Sequence, residues 1–77
     1  MLEKVRKQAK KKLKENDSNE ELKSRFETIN NILKEDNCFF KMDVNVAIGI
    51  LNDLGYENKD AFKMYIKLTS KKEYLGV

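Results

Sequence analysis

The sequence predicts a mainly α-helical fold: about four short helices in one small domain, with a single short strand at 38–43 as a further candidate element. Three observations predict it. The chain has 77 residues and no proline. Charged residues make up 38% and the apolar set 40%, a balance that suits amphipathic helices and argues against both disorder and a membrane span. Apolar residues recur at spacings of three and four in four separate stretches. Below about 80 residues a core seldom yields more than about 3–5 kcal/mol, so such a chain often leans on a staple or a partner. Cys38 is the only cysteine, which excludes a disulfide within the chain. With one thiol and no histidine, a structural zinc site is nearly excluded as well.

The first helix is expected over 2–15. Leu2, Val5, Ala9 and Leu13 form one thin stripe, and six bases between positions 6 and 14 crowd the other faces. Alone in water such a helix is marginal, so it needs docking. The second is expected over 18–36, with Ser18 and Glu21 in a capping-box pattern. Leu22, Phe26, Ile29, Ile32 and Leu33 form its stripe, and the short link predicts an antiparallel hairpin with the first helix. In residues 37–43 the rhythm breaks. Cys38, Phe40 and Met42 alternate with Phe39, Lys41 and Asp43, which fits a short strand or an extended, half-buried loop.

The third helix is expected over 44–54, capped by Asp43 and apolar over much of its surface. Gly49 inside it costs about 1 kcal/mol against alanine. Gly55 is read as its left-handed C′ residue, flanked by Tyr56. The fourth is expected over 59–72, with Asn58 as N-cap and Lys59, Lys63, Lys67 and Lys71 as a basic stripe. The tail after it carries Tyr74 and Leu75, which would fold back on the core or dock on a partner. The expected core holds Leu22, Phe26, Ile29, Leu33, Phe40, Ala47, Ile50, Leu51, Leu54, Phe62, Tyr65 and Ile66.

Net charge is +3, unevenly spread: residues 1–14 carry +6, residues 15–37 carry −4 and residues 38–77 carry +1. A basic arm before an acidic segment implies an anionic partner or mutual attraction between the two. Without histidine a Ser-His-Asp or Cys-His arrangement cannot exist, and the three glycines are isolated rather than grouped in a phosphate loop. Paired carboxylates such as Glu20/Glu21 and Glu35/Asp36 fall at expected helix ends, where acids cap or face water. The expectation is a protein that is not an enzyme and takes no cofactor. No apolar stretch approaches the ~20 residues of a spanning helix, no signal-peptide core follows the basic start, and one unpaired thiol fits a reducing compartment. Cytoplasmic location is therefore expected.

Residues 38–77 carry a further pattern. Phe40-Lys41-Met42-Asp43, Ala47 with Ile50-Leu51, Leu54-Gly55-Tyr56 and Asp60-Ala61-Phe62 together resemble ribbon-helix-helix proteins, in particular the RelB/DinJ-like antitoxins. The resemblance implies a homodimer whose paired strands enter the DNA major groove. It also implies that Cys38, Phe40 and Met42 face the dimer core while Phe39 and Lys41 face the groove. Near Asn58 and Lys59 it implies backbone N–H groups offered to a phosphate. A helix-turn-helix reading of the third and fourth helices is a lesser variant, because it puts Leu51 where a small residue is needed.

Two functional readings follow. One is a small DNA-binding regulator or antitoxin, holding phosphates with Lys10, Lys11 and Lys14 on the arm, Lys41 at 38–43, and Lys59 and Lys63 on the last helix. The other is a helical module that binds a protein partner, of the phage or plasmid inhibitor or immunity type, with no nucleic acid. In both, Cys38 is structural.

Overall fold

The computed structural model describes residues 1–70, which form five helices and, among the described residues, no strand. The helices are α1 (Leu2–Glu15), α2 (Glu20–Ile32), α3 (Cys38–Lys41), α4 (Val44–Asp53) and α5 (Asn58–Leu68). The last helix ends at Leu68, with Thr69 as its C-cap in a non-helical conformation, so the expected span to Lys72 is too long. Lys71, Lys72 and the tail with Tyr74 and Leu75 lie outside the described residues.

Helix α1 runs as its stripe predicts, with Val5 and Ala9 fully buried. It ends at Asn16, whose side chain and backbone N–H both donate to the Lys12 carbonyl, at 2.8 and 3.1 Å. The N-cap of α2 is Asn19 rather than Ser18: the Asn19 carboxamide oxygen accepts from the Leu22 N–H at 3.2 Å. Asparagine does this as well as serine, and it lies one residue closer to the apolar stripe. Helix α2 stops at Ile32, so the expected span to residue 36 is four residues too long at its end. The terminus is set by α1. Arg6 Nε donates to the Leu33 carbonyl at 2.6 Å, and Arg6 Nη2 donates to the Lys34 carbonyl and to Asp36 Oδ1, both at 3.1 Å. One guanidinium thus satisfies carbonyls that the helix end leaves without N–H partners.

Asn30 bridges the same pair of helices further along, donating to the Ala9 carbonyl of α1 at 3.1 Å and to Phe26 of its own helix at 2.7 Å. Early α1 therefore meets late α2, which makes the pair antiparallel, as the short link predicts.

Residues 38–41 form one helical turn, not the candidate strand. Cys38 and Phe39, adjacent in sequence, are both buried, whereas Phe40 is 37% exposed. Neighbours in a strand point to opposite faces, so a strand could not bury both; a helical turn can. The alternation that the resemblance implied, with Cys38, Phe40 and Met42 inward and Phe39 outward, does not hold.

Helix α4 is capped by Asp43, whose carboxylate accepts from the Asn45 N–H at 3.0 Å. It closes in a Schellman motif: the Tyr56 N–H donates to the Leu51 carbonyl at 3.0 Å and the Gly55 N–H to Asn52 at 2.9 Å, with Gly55 at φ 103°. Helix α5 takes Glu57 as N-cap without a side-chain bond, so Asn58 is its first residue rather than its cap.

A single cluster of buried residues draws on all five helices. Of the expected core, Phe26, Ile29, Leu33, Ala47, Ile50, Leu51 and Leu54 are buried, while Leu22 and Tyr65 pack at its margin. Phe40, Phe62 and Ile66 are exposed instead. On α5 the buried line is Ala61 and Met64, continued by Tyr65 and Leu68 at spacings of three and four. Ala61 has only a methyl group, so α5 settles against its neighbours on that side and turns Phe62 and Ile66 outward. Val5, Ala9, Cys38, Phe39 and Ile48 also join the core beyond expectation.

Leu51 is fully buried. Leu51→Ala is expected to cost about 2–5 kcal/mol in a denaturant titration, as deletion of a buried isobutyl group does; a loss under about 1 kcal/mol would mean α4 is not central. The two glycines of this region should respond oppositely. A Cβ at Gly49 meets no atom within 4 Å, so Gly49→Ala should stabilise the fold by about 0.5–1 kcal/mol. Gly55→Ala should destabilise it, because alanine at positive φ is strained.

Candidate nucleic-acid interface

The buried stripe of α1 leaves most of its circumference to lysine. Lys4, Lys7 and Lys11 lie at spacings of three and four and share one exposed face. On α5, Lys63 and Lys67 lie one turn apart and are exposed too. The fold brings the two rows together across Tyr56. One surface depression is lined by Lys4, Lys7, Lys11 and Tyr56, and the adjoining one by Lys4, Tyr56, Lys63 and Lys67. Lys4 and Tyr56 belong to both, so the depressions form one basic groove with α1 and α5 as walls. Glu3 on the first and Asp60 on the second are its carboxylates. Five lysines against two acids leave a surplus of three positive charges.

Backbone contacts fix the floor of this groove. Tyr56 is the residue after the α4 turn; its N–H is held by Leu51, and its carbonyl accepts from Asn52 Nδ2 at 2.9 Å. Helix α1 is tied to the same turn, since Gln8 Nε2 donates to the Leu54 carbonyl at 2.9 Å. A side chain at Gly55 would lie 3.7 Å from Lys12 Cε, so the α1 wall crosses directly over the turn. The ring of Tyr56 is half-buried against the core.

The basic arm is only slightly neutralised from within. Arg6 pairs with Asp36 at 3.1 Å and Lys12 with Glu15 at 4.0 Å. None of Lys4, Lys7, Lys11, Lys63 and Lys67 has an ion-pair partner among the described residues. The attraction between arm and acidic segment therefore reduces mainly to Arg6. Like charges one turn apart weaken a helix, so this face gains from any anion that occupies it.

The lysines expected from sequence divide on this surface. Lys11 and Lys63 line the groove. Lys10 lies on another face of α1, beside Arg6, Asn30 and Lys34. Lys14 is exposed near the end of α1, and Lys59 is exposed in the first turn of α5, but neither lines the groove. Lys41 sits on α3 and pairs with Glu35 at 3.0 Å, so no ribbon carries it toward a base. Sequence reasoning missed Lys4, Lys7, Lys67 and Tyr56 as site residues. The i, i+3, i+7 register of Lys4, Lys7 and Lys11 was available to it; the meeting of that face with Tyr56 depends on tertiary structure.

Comparison with protein-family models, curated proteins and solved structures finds no match to this chain. Its chemistry is therefore read from its own residues. Among the described residues no group of three or more acidic, cysteine or histidine side chains could hold a metal ion. No helix among them is long and apolar enough to cross a membrane.

Cys38 lies away from the groove, between the end of α2 and α4, and is buried. Burial pushes its thiol pKa up, Glu35 adds to this, and Arg6 and nearby backbone N–H groups oppose it. The folded state therefore keeps this proton to higher pH than the unfolded chain does. Stability contributed by the buried thiol is complete below the ordinary thiol pKa of about 8.5 and declines as pH rises above it. The expected outcome is a steeper loss of stability above that pH for the parent than for Cys38→Ala, read in paired denaturant titrations. Labelling of the native thiol by a soluble disulfide reagent should also be slow at neutral pH.

Proposed function

We propose that this protein is a small, non-enzymatic DNA-binding protein that holds the phosphate backbone on the joined lysine rows of α1 and α5. The observation that carries the reading is the groove itself: five lysines from two helices, without ion-pair partners among the described residues, converging on one aromatic residue, in a chain whose acids lie mostly elsewhere. Lysine is a flexible point charge, suited to phosphates at variable positions rather than to base edges. The ribbon-helix-helix likeness implied the same ligand through a strand at 38–43, but residues 38–41 are helical, so the reading rests on the lysine rows of α1 and α5 alone.

A second reading is favoured by a specific observation. Phe62 and Ile66, one turn apart on α5, are 49% and 65% exposed. Paired exposed apolar side chains suit contact with a protein partner, as a phage or plasmid inhibitor or immunity-type module would need.

The test of the DNA reading is a titration with duplex DNA at several salt concentrations. Each phosphate contact released should contribute about one unit to the slope of log affinity against log salt. Lys7→Gln and Lys63→Gln, one from each wall, should each lower that slope by about one and weaken every duplex alike. Lys41→Gln should leave it unchanged. Affinity no better than millimolar at low salt would sink the reading and leave the protein-partner alternative.

A further inference from the structure

The groove contains one feature that phosphate binding does not use, the ring of Tyr56. Duplex DNA presents its phosphates outward and keeps its bases stacked inside, so an aromatic floor beneath two lysine rows gains nothing from a duplex. A single strand presents both parts at once. Its phosphates can lie along lysines while an unstacked base lies on an aromatic face, and this combination is how sequence-tolerant single-strand sites are built. Resting on the DNA reading above, we propose that the groove takes single-stranded DNA in preference to duplex, with Tyr56 as the platform on which one base stacks.

Three structural facts support this assignment. Tyr56 lies in both halves of the groove, with Lys4 beside it in each, so a base on the ring would have lysines on either side for its flanking phosphates. The residue is held in advance: the Tyr56 backbone N–H and carbonyl are both bonded, to Leu51 and Asn52, and its half-buried side chain packs against the core. A platform already fixed loses little further freedom when a base arrives. The groove is also short. Lys4 to Lys11 spans about 10 Å and Lys63 to Lys67 about 6 Å along their helices. That reach suits a few nucleotides of one strand rather than the paired backbones of a duplex.

The experiment compares three fluorescent probes by anisotropy at low salt: oligothymidylate, an abasic strand of the same length, and a duplex of the same length. The parent should bind oligothymidylate more tightly than either of the others. Two variants separate the ring from its packing and from its hydroxyl. Tyr56→Leu keeps apolar contact with the core and removes the flat face; it should bind oligothymidylate about 5- to 150-fold more weakly, down to the level of the abasic strand. Tyr56→Phe keeps the face and should bind within about twofold of the parent. Thermal unfolding of each variant confirms that the comparison is made on folded protein. The outcomes distinguish this inference from the reading beneath it. If duplex binds as tightly as oligothymidylate and Tyr56→Leu changes nothing, while Lys7→Gln and Lys63→Gln still weaken binding, the phosphate reading stands and the stacking inference is overturned. If Tyr56→Phe loses as much as Tyr56→Leu, a hydroxyl contact replaces the stack and the inference is again overturned. If none of the three probes binds, both fall together.

Discussion

The narrowness of the buried stripe on α1 governs the rest of the molecule. Val5 and Ala9 are its two fully buried residues, and neither is large. A stripe this thin cannot hold three neighbouring elements by apolar contact alone. Polar side chains make up the difference by reaching backbone carbonyls across helices: Arg6 to Leu33 and Lys34, Asn30 to Ala9, and Gln8 to Leu54. Each bond serves a carbonyl near a helix terminus or at a close crossing, where intrahelical partners are missing or shared. The small Ala9 side chain is what lets Asn30 approach closely enough to reach the α1 backbone.

The same narrowness sets the electrostatics. Once Leu2, Val5, Ala9 and Leu13 face inward and Arg6 and Gln8 tie α1 to its neighbours, Lys4, Lys7, Lys10, Lys11 and Lys14 remain outside. Burial of any of them would carry a large desolvation penalty without a paired acid. Their charge is therefore displayed, and the α4 turn puts Tyr56 and the α5 lysines beside part of it. Charge display and hydrophobic docking are two results of one sequence pattern.

Much of this was legible in the sequence. The α1 span, the antiparallel hairpin, the Asp43 cap and the Gly55 terminus depend on local rules, and all four are present. Three features were not legible because they are decided between helices. The end of α2 is set by Arg6, which lies 27 residues from the carbonyl it binds. The rotation of α5 is set by how closely Ala61 lets it pack, and Ala61 looked less committed to the core than Phe62 or Ile66. In residues 38–43, apolar alternation suggested period two, but the burial of Cys38 and Phe39 together requires a helical turn. For the groove, each lysine row could be read along one helix, yet only the packing of α1 over the α4 turn makes them face one another.

That packing has a consequence for mechanics. The groove walls belong to different hairpins, α1 with α2 and α4 with α5, and Gln8 to Leu54 is a polar link across the seam. Arg25 of α2 and Asp53 of α4 form another, 3.6 Å apart. Any molecule that touches both walls is also a strap across the seam. Prying the hairpins apart then requires breaking the strap, so occupancy and cohesion are thermodynamically linked and each strengthens the other. In hydrogen exchange, a strapped molecule would show slower opening at the α4 turn and along α1 together, because both edges of the seam move in the same event.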